Sequence, residues 1–261
     1  MDTKGLIKKY RELQIEEAID YKKFNLFLIT NHSTVIEGSS LTEIETQLLL
    51  DENVTPKGKP LEHSLMTKDH YNALLFTLDL ANNKTSITSK ILQKISSKLM
   101  KLTGSVYNTV LGEVDVTKGD IRKMNVFVGK RSFPNYDKVP QLLEEYCLNL
   151  NKMIADCGKD SVEKLKISFW AHFNLVSIHP FIDGNGRLSR LMMNYVQEYF
   201  SLPLSIVFKE DKSDYFTALE SARENNNITV FYKFMFEQYN KYLSLEISNY
   251  NKNTKGFSFL F

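Results

Sequence analysis

A histidine, a carboxylate, glycines and two arginines lie within one short stretch of this chain, from His179 to Arg190. Histidine titrates near physiological pH, so His179 can accept a proton from an attacking hydroxyl. Asp183 supplies the hard oxygen ligand that Mg²⁺ uses alongside phosphate oxygens and water. Arg187 and Arg190 are three positions apart, so on a helix they share a face and can bind oxygens of one anion. These residue types suit the transfer of a phosphorus-containing group, which depends on positioning and charge neutralisation.

The residues after the glycines predict an amphipathic helix that ends before Pro203. Its apolar positions fall at helical spacing: Leu188, Leu191, Met192, Tyr195, Val196 and Tyr199. Gly184, Asn185 and Gly186 therefore lie at or just before a helix N-terminus, where free N–H groups and the helix dipole favour an anion. A plainer interpretation is a glycine-containing loop with surface arginines. The combination of residue types favours a polyphosphate site with its own base.

Composition and charge are those of an ordinary globular protein. The 261 residues are 43% hydrophobic and 25% charged, and the net charge of +2 gives no electrostatic case for nucleic acid or an anionic membrane. The charged N-terminus excludes a secretory signal, and no apolar run reaches membrane-spanning length. Cys147 and Cys157 lie about 15 Å apart along a continuous helix, too far for a disulfide. We therefore expect reduced thiols and a cytoplasmic protein.

Helical spacing of apolar residues extends over most of the chain. It predicts helices over 3–30, 42–50, 65–80, 88–103, 140–155, 161–178, 212–223 and 228–247, besides the one that ends before Pro203. The helix over 161–178 is apolar on nearly all sides and is expected at the centre of the fold, with His172 as a core histidine. Helical spacing fails over 119–140, where Gly129 and Pro134 indicate a short β-hairpin. We therefore expect a single all-α domain with a small hairpin.

The stretch from His179 to Arg190 resembles the signature of the Fic family, His-Pro-Phe-x-Asp/Glu-Gly-Asn-Gly-Arg-x-x-Arg, and matches it at every defined position. Fic proteins are mostly helical, and most of those characterised transfer AMP from ATP to a protein hydroxyl. The resemblance implies that His179 is the catalytic base and that Asp183 holds Mg²⁺. The phosphate-binding residues that it implies are Gly184, Asn185, Gly186, Arg187 and Arg190. The related Doc branch, which phosphorylates, usually has Lys at the position of Gly186, so this glycine favours nucleotidyl transfer.

A second stretch, with Ser33, Glu37 and Gly38, resembles the inhibitory signature of the family, Ser/Thr-x-x-x-Glu-Gly/Asn. In the family, the glutamate pairs with the second arginine of the main signature and displaces the γ-phosphate of ATP. The resemblance implies the same for Glu37 and Arg190. An alternative stays open, because Thr34 with Glu37 also fits a capping box at a helix start.

The predicted hairpin resembles the flap that covers the active site in Fic proteins. The family pattern Gly-x-x-Arg, then Val-x-x-Gly and prolines, is matched in kind by Gly119, Arg122, Val126, Gly129 and Pro134. The flap is thought to hold the target by adding it as an extra strand. The resemblance therefore implies target docking at Val126, Phe127, Val128 and Gly129. A purely structural hairpin stays open.

We expect an N-terminal helical segment over 1–85 that carries the inhibitory motif, and a Fic core over 86–261. The expected function is transfer of AMP from Mg·ATP to a Tyr, Ser or Thr hydroxyl of an unidentified target protein, inhibited by Glu37. Removal of AMP, assisted by the same glutamate, stays open, as does formation of a homo-oligomer. One alternative is a transferase with another nucleotide donor, and the other is a nucleotide-responsive module without catalysis. No nucleic acid or membrane partner is expected.

Overall fold

The computed structural model describes residues 2–129 and 131–253, most of which lie in helices. The helices are α1 (Thr3–Glu12), α2 (Tyr21–Ile36), α3 (Glu43–Asp51), α4 (Leu61–Asn82), α5 (Ser89–Leu99), α6 (Val139–Ala155), α7 (Ser161–Ile178), α8 (Asn185–Tyr199), α9 (Lys212–Glu224) and α10 (Ile228–Asn253). The strands are β1 (Val106–Thr109), β2 (Gly112–Asp115), β3 (Phe127–Val128) and β4 (Arg131–Ser132). The predicted all-α class is confirmed. None of the helices in the described parts is long and apolar enough to cross a membrane.

Helices α7 and α8 form the centre of the fold, as the apolar pattern of 161–178 predicts. Helix α8 lies between α7 and α4, so it is buried on nearly all sides. Its two arginines are therefore not surface residues, since Arg187 and Arg190 are each only 3% exposed. Burying a charge is costly unless it is paired or binds an ion. Two arginines at the start of a central helix thus indicate a site.

The prediction of one helix over 3–30 is wrong. Helix α1 ends at Glu12, a short 3₁₀ turn covers Ile15–Glu17, and α2 begins only at Tyr21. Gln14 and Asp20 adopt left-handed backbone conformations with φ of 51° and 58°, which no residue inside an α-helix can have. Because of the break, α2 is not a continuation of α1. Ser33, in the last turn of α2, contacts α8.

Two helix starts agree with their sequence signals. The side chain of Thr42 accepts from Glu45 N while Glu45 Oε2 accepts from Thr42 N, so the two residues form a capping box at the start of α3. Pro140 lies in the first turn of α6, where its missing N–H costs nothing.

Two short antiparallel ladders lie between α5 and α6. The ladder β3–β4 falls within the predicted hairpin region, with Gly129 at its turn at φ 61°. The ladder β1–β2, which pairs Thr109 with Gly112 at its tight turn, was not predicted. Four-residue strands give too short a pattern to be distinguished from a loop. We refer to residues 122–134 as the flap.

Candidate active site

His179 is positioned by the end of α7. Its N–H donates to Leu175 O at 3.0 Å, and its backbone is left-handed with φ 53° and ψ 60°, so it ends the helix and turns the chain into the loop. Its carbonyl accepts from Arg122 Nε at 2.8 Å. Both contacts hold the backbone of His179, and its imidazole is directed into a cleft.

The imidazole of His179 is uncharged at neutral pH. Burial lowers its pKa to about 4; the carbonyl of Val176 opposes this, while the positive charge of Arg122 adds to it. Nδ1 lies 3.4 Å from Val176 O, and a carbonyl can only accept, so the proton belongs on Nδ1. The lone pair is then on Nε2. The ring of Phe133 stacks on the imidazole, with centroids 3.8 Å apart.

The loop between His179 and α8 is closed by the side chain of Asn185. Its Oδ1 accepts from Phe181 N at 3.0 Å, and its Nδ2 donates to Phe181 O at 2.9 Å. Gly184 precedes the helix at φ 81°, and an added Cβ there would contact the Met100 side chain at 3.1 Å. The amide of Asn185 is thus used within the loop. What the loop offers an anion is the backbone N–H groups of the first turn of α8, which has no side-chain cap.

Asp183 and Arg187 lie at the open edge of this loop. Asp183 is exposed, its Oδ1 accepts from Gly184 N at 2.5 Å, and its Oδ2 lies 3.5 Å from Arg187 Nη2. Arg187 Nη2 also contacts Met100 Sδ at 3.2 Å. Its Nε and Nη1 are buried without a hydrogen-bond partner among the described residues. Buried guanidinium donors are costly to leave unpaired, so Arg187 is prepared for an anion.

Buried Arg190 and partly exposed Glu37 form an ion pair between α8 and the end of α2. Arg190 Nη2 lies 2.6 Å from Glu37 Oε1, and the carboxylate lies directly over Gly186, where an added Cβ would clash with Oε1. Burial raises the pKa of Glu37, but the charge and hydrogen bond of Arg190 outweigh it, so the pKa is below its usual value. Because α2 ends at Ile36, Glu37 follows a helix end, and the capping-box alternative is wrong.

Two other side chains hold the guanidinium of Arg190. Ser33 accepts twice, through Oγ from Nε and through its carbonyl from Nη2, both at 2.9 Å. Arg190 Nη1 lies 3.5 Å from the hydroxyl of Tyr215 on α9. That hydroxyl lies 2.8 Å from Nε2 of His172 on α7. His172 is therefore a core histidine, as predicted, but one connected to the site through Tyr215.

A cleft of about 910 Å³ lies beside His179 and the start of α8. Its wall contains four of the predicted site residues, namely His179, Gly186, Arg190 and Glu37. The flap contributes Arg131, Ser132 and Phe133, whereas Phe127, which was predicted to dock the target, is 67% exposed and is not part of the wall. Gly38, at φ 108°, turns the chain after α2.

Residues at the far side of the cleft were missed by sequence reasoning. Glu220 on α9 pairs with Arg131 of the flap and lies 3.1 Å from Arg223 Nη1. Phe133 and Arg131 belong to the predicted hairpin region over 119–140, but nothing in their spacing distinguishes them from its other residues.

A family model described as Fic/DOC family matches residues 86–197. Proteins named "Protein adenylyltransferase Fic" are similar over 86% of this chain: the one from Drosophila persimilis is 31% identical over 225 residues, and that from Drosophila grimshawi is 32% identical over 227. The chain spans 41% and 43% of these relatives' lengths.

Solved structures share the fold. A Fic domain containing signaling protein from Bacteroides thetaiotaomicron VPI-5482 has a TM-score of 0.81 at 23% identity, over 95% of this chain and 97% of that one. Fic-1 from C. elegans (residues 134–508) has a TM-score of 0.71 at 18% identity, over 96% of this chain and 73% of that one. At these identities the likeness concerns the fold alone.

Proposed function

Because this chain carries a Fic/DOC family domain over residues 86–197, we propose that it transfers AMP from ATP to a hydroxyl group of a target protein. The observation that carries the proposal is the common cleft wall of His179, Gly186 and Arg190. An uncharged base and an anion-binding helix start then face one space of about 910 Å³, a size usual for small-molecule sites. The names of the relatives as protein adenylyltransferases support the same reaction.

We assign the phosphates of ATP to the start of α8. The first-turn N–H groups at Asn185 and Gly186 lack helical acceptors, and the buried Nε and Nη1 of Arg187 lack partners among the described residues. Arg190 adds a second guanidinium, which would bind the third phosphate once Glu37 has moved. The donor set thus fits a triphosphate better than a neutral ligand.

Mg²⁺ fits the exposed carboxylate of Asp183 at the edge of the same loop. A hard cation of this kind takes carboxylate and phosphate oxygens together. When bound, it would neutralise charge on the phosphates. The partial pairing of Asp183 with Arg187 is compatible with this, because an ion pair at 3.5 Å is readily exchanged.

In the proposed reaction, the target hydroxyl oxygen forms a bond to the α-phosphorus of ATP. The bond from that phosphorus to the bridging oxygen of the β-phosphate breaks, and pyrophosphate leaves. Nε2 of His179 takes the hydroxyl proton, while Nδ1–H stays directed at Val176 O. The anion-binding groups hold the negative charge that spreads over the phosphate oxygens. The product is the target side chain esterified with AMP.

We propose further that Glu37 inhibits this reaction. Its carboxylate is bound to Arg190 at 2.6 Å and lies against Gly186, which is where an anion would approach the helix start. A carboxylate and a phosphate compete for the same guanidinium donors. The exposed fraction of the Glu37 side chain is 30%, so it can leave toward the cleft without disrupting the core.

The test is intact mass spectrometry after incubation with Mg·ATP, because a released enzyme can modify its own hydroxyl groups. Wild type, Glu37→Gly, Glu37→Gln and Glu37→Gly with His179→Ala are compared. We expect added AMP on Glu37→Gly, less on Glu37→Gln, and none on wild type or the double variant. An adduct on the His179→Ala variant would contradict the role of the base. Absence of the adduct on Glu37→Gly would contradict the function, and a binding titration with ATP would then show whether the nucleotide site itself is formed.

Several finer features belong to this proposal. The free thiols of Cys147 and Cys157 support a cytoplasmic location. Three other features stay predictions. They are docking of the target as an added strand at Val126–Gly129, removal of AMP assisted by Glu37, and the division into 1–85 and 86–261.

A different nucleotide donor is the second candidate, since the phosphate-binding groups do not select a base. Comparing Mg·ATP with Mg·UTP and Mg·GTP in the same assay distinguishes the donors.

A further inference from the structure

We propose that Tyr215 and His172 are positioning residues that orient Arg190 toward the terminal phosphate of a nucleoside triphosphate. The inference rests on the proposed nucleotide site at the start of α8. It assigns to the two residues the selection of a triphosphate over a diphosphate. The three side chains come from α9, α7 and α8, and they are 1%, 0% and 3% exposed.

The direction of the hydrogen bonds follows from chemistry. A guanidinium can only donate, so the hydroxyl oxygen of Tyr215 is the acceptor for Arg190 Nη1. The hydroxyl proton is then available to His172, whose Nε2 lies 2.8 Å away and is the one remaining partner of the hydroxyl among the described residues. With Nε2 as the acceptor, His172 is neutral and carries its proton on Nδ1. The hydrogen bonds thus run from Arg190 through Tyr215 to His172, and each donor and acceptor is assigned.

The guanidinium of Arg190 is held on two sides. Ser33 accepts from Nε and from one N–H of Nη2, while Tyr215 faces Nη1. The second N–H of Nη2 is given to Glu37. When Glu37 leaves, its contact is the one lost, and the contacts with Ser33 and Tyr215 keep the plane of the guanidinium. The freed N–H of Nη2 then points to where the carboxylate was.

The length of the contact between Tyr215 and Arg190 indicates when Tyr215 orients the guanidinium. At 3.5 Å it is at the outer limit of a hydrogen bond, whereas the Glu37 contact is 2.6 Å. While Glu37 is bound, the guanidinium is therefore drawn toward the carboxylate. After release, Tyr215 is the remaining acceptor on the Nη1 side. His172 keeps the hydroxyl in place, because its own ring is fixed by stacking on Phe231 with centroids 5.1 Å apart.

The test uses the full chain with Glu37→Gly, and measures binding of ATP and of ADP by isothermal titration calorimetry. Tyr215→Phe removes the hydroxyl and keeps the ring. We expect ATP to bind about five- to tenfold more weakly, the effect of losing one ordinary hydrogen bond, while ADP binding changes less than about twofold. The matched control is Tyr239→Phe, which loses a buried tyrosine hydroxyl that donates to Pro203 O, far from Arg190.

Two further variants separate positioning from general structural damage. His172→Phe removes the acceptor for Tyr215 and should weaken ATP binding selectively, whereas His172→Gln retains an acceptor and should restore it. With Arg190→Ala already present, Tyr215→Phe should have no further effect on ATP binding. Thermal unfolding checks that each variant folds, and if Tyr215→Phe does not, the two His172 variants decide the question.

Equal weakening of ATP and ADP by Tyr215→Phe, or an undiminished effect with Arg190→Ala, would overturn the inference. If Glu37→Gly binds ATP but transfers no AMP, the proposed function fails while the inference stands. If Glu37→Gly does not bind ATP at all, both fail.

Discussion

The ring of Phe133 lies nearly parallel to the imidazole of His179, with an interplanar angle of 24° and centroids 3.8 Å apart. The guanidinium of Arg131 lies over the ring of Phe133, 4.7 Å from its centroid, and pairs with Glu220 on α9. The flap is thereby attached to the opposite wall of the cleft, and its phenylalanine covers one face of the base. The proposed base is thus shielded by the flap as well as faced by Glu37.

Phe133→Ala is expected to raise the pKa of His179 from about 4 toward the usual range of histidine, because burial is the main cause of its depression. The pKa is read from the pH dependence of the imidazole NMR signals in wild type and variant. In the Glu37→Gly background, transfer of AMP should fall on acidification through this pKa, since only the neutral imidazole accepts a proton. The acid limb of the rate profile should therefore move to higher pH by about one unit.

The control for this experiment is Phe127→Ala, which removes an exposed ring from the same flap. It should leave the pKa of His179 unchanged. An unchanged pKa in Phe133→Ala would show that the stacked ring does not govern the solvation of His179.

Gly186→Ala is expected to destabilise wild type but to stabilise the Glu37→Gly variant. In wild type, the added Cβ would collide with Glu37 Oε1, so we expect destabilisation by about 1–2 kcal/mol. In Glu37→Gly the obstacle is gone, and alanine is preferred to glycine in a helix by about 0.5–1 kcal/mol. Urea unfolding of the four proteins of this cycle measures the coupling. Additive effects would mean that Glu37 does not lie over Gly186 in solution.

Sequence patterns predicted the central helix, the helix that follows the glycines and most of the remaining helices, because buried helices carry long runs of apolar positions. They did not predict the break between α1 and α2. Gln14 and Asp20 adopt left-handed backbone conformations there without the glycine that usually indicates one. The ladder β1–β2 was missed because its strands are short and their residues are largely exposed.

The site was predicted in part, since the residues between His179 and Arg190 are adjacent in sequence and their motif is specific. The approach of Glu37 to Arg190, 153 positions away, was inferred from a family resemblance, and the geometry agrees with it. The contacts of Phe133 and Tyr215 could not be predicted. They depend on where the flap and α9 pack in three dimensions, and neither residue has a distinctive spacing.

Asn185→Ala is expected to destabilise the protein, because the side chain closes the loop through both of its hydrogen bonds to Phe181. Removing it leaves a buried backbone N–H and C=O unpaired, at a cost of about 1–3 kcal/mol in the free energy of unfolding. Urea unfolding of the variant against wild type measures it.

Asn185→Asp provides the comparison, since it keeps an acceptor for Phe181 N and adds a negative charge at the start of α8. In the Glu37→Gly background it should weaken ATP binding more than Asn185→Ala does. If Asn185→Ala lost ATP binding without losing stability, the amide would act on the ligand rather than on the loop.

Arg122 connects the flap to the loop of His179, and it does so through backbone carbonyls. Its Nε donates to His179 O at 2.8 Å, its Nη1 to Met124 O at 2.9 Å and its Nη2 to Pro134 O at 2.5 Å. The residue is 1% exposed, and burial lowers its pKa. The guanidinium places three nitrogens in fixed directions, one toward each carbonyl, which the single ammonium nitrogen of lysine cannot reproduce.

Arg122→Lys should therefore release the flap while the charge is kept. We expect amide hydrogen exchange over residues 124–134 to become at least about tenfold faster, the effect of losing about 1.4 kcal/mol of local stability. Exchange in the core of α7 should change less, because its helix is held by other contacts. The control is Lys123→Ala, which removes an exposed side chain bonded to Glu113 O. If Arg122→Lys accelerated exchange equally in α7 and in the flap, Arg122 would support the whole fold rather than fasten the flap to the base.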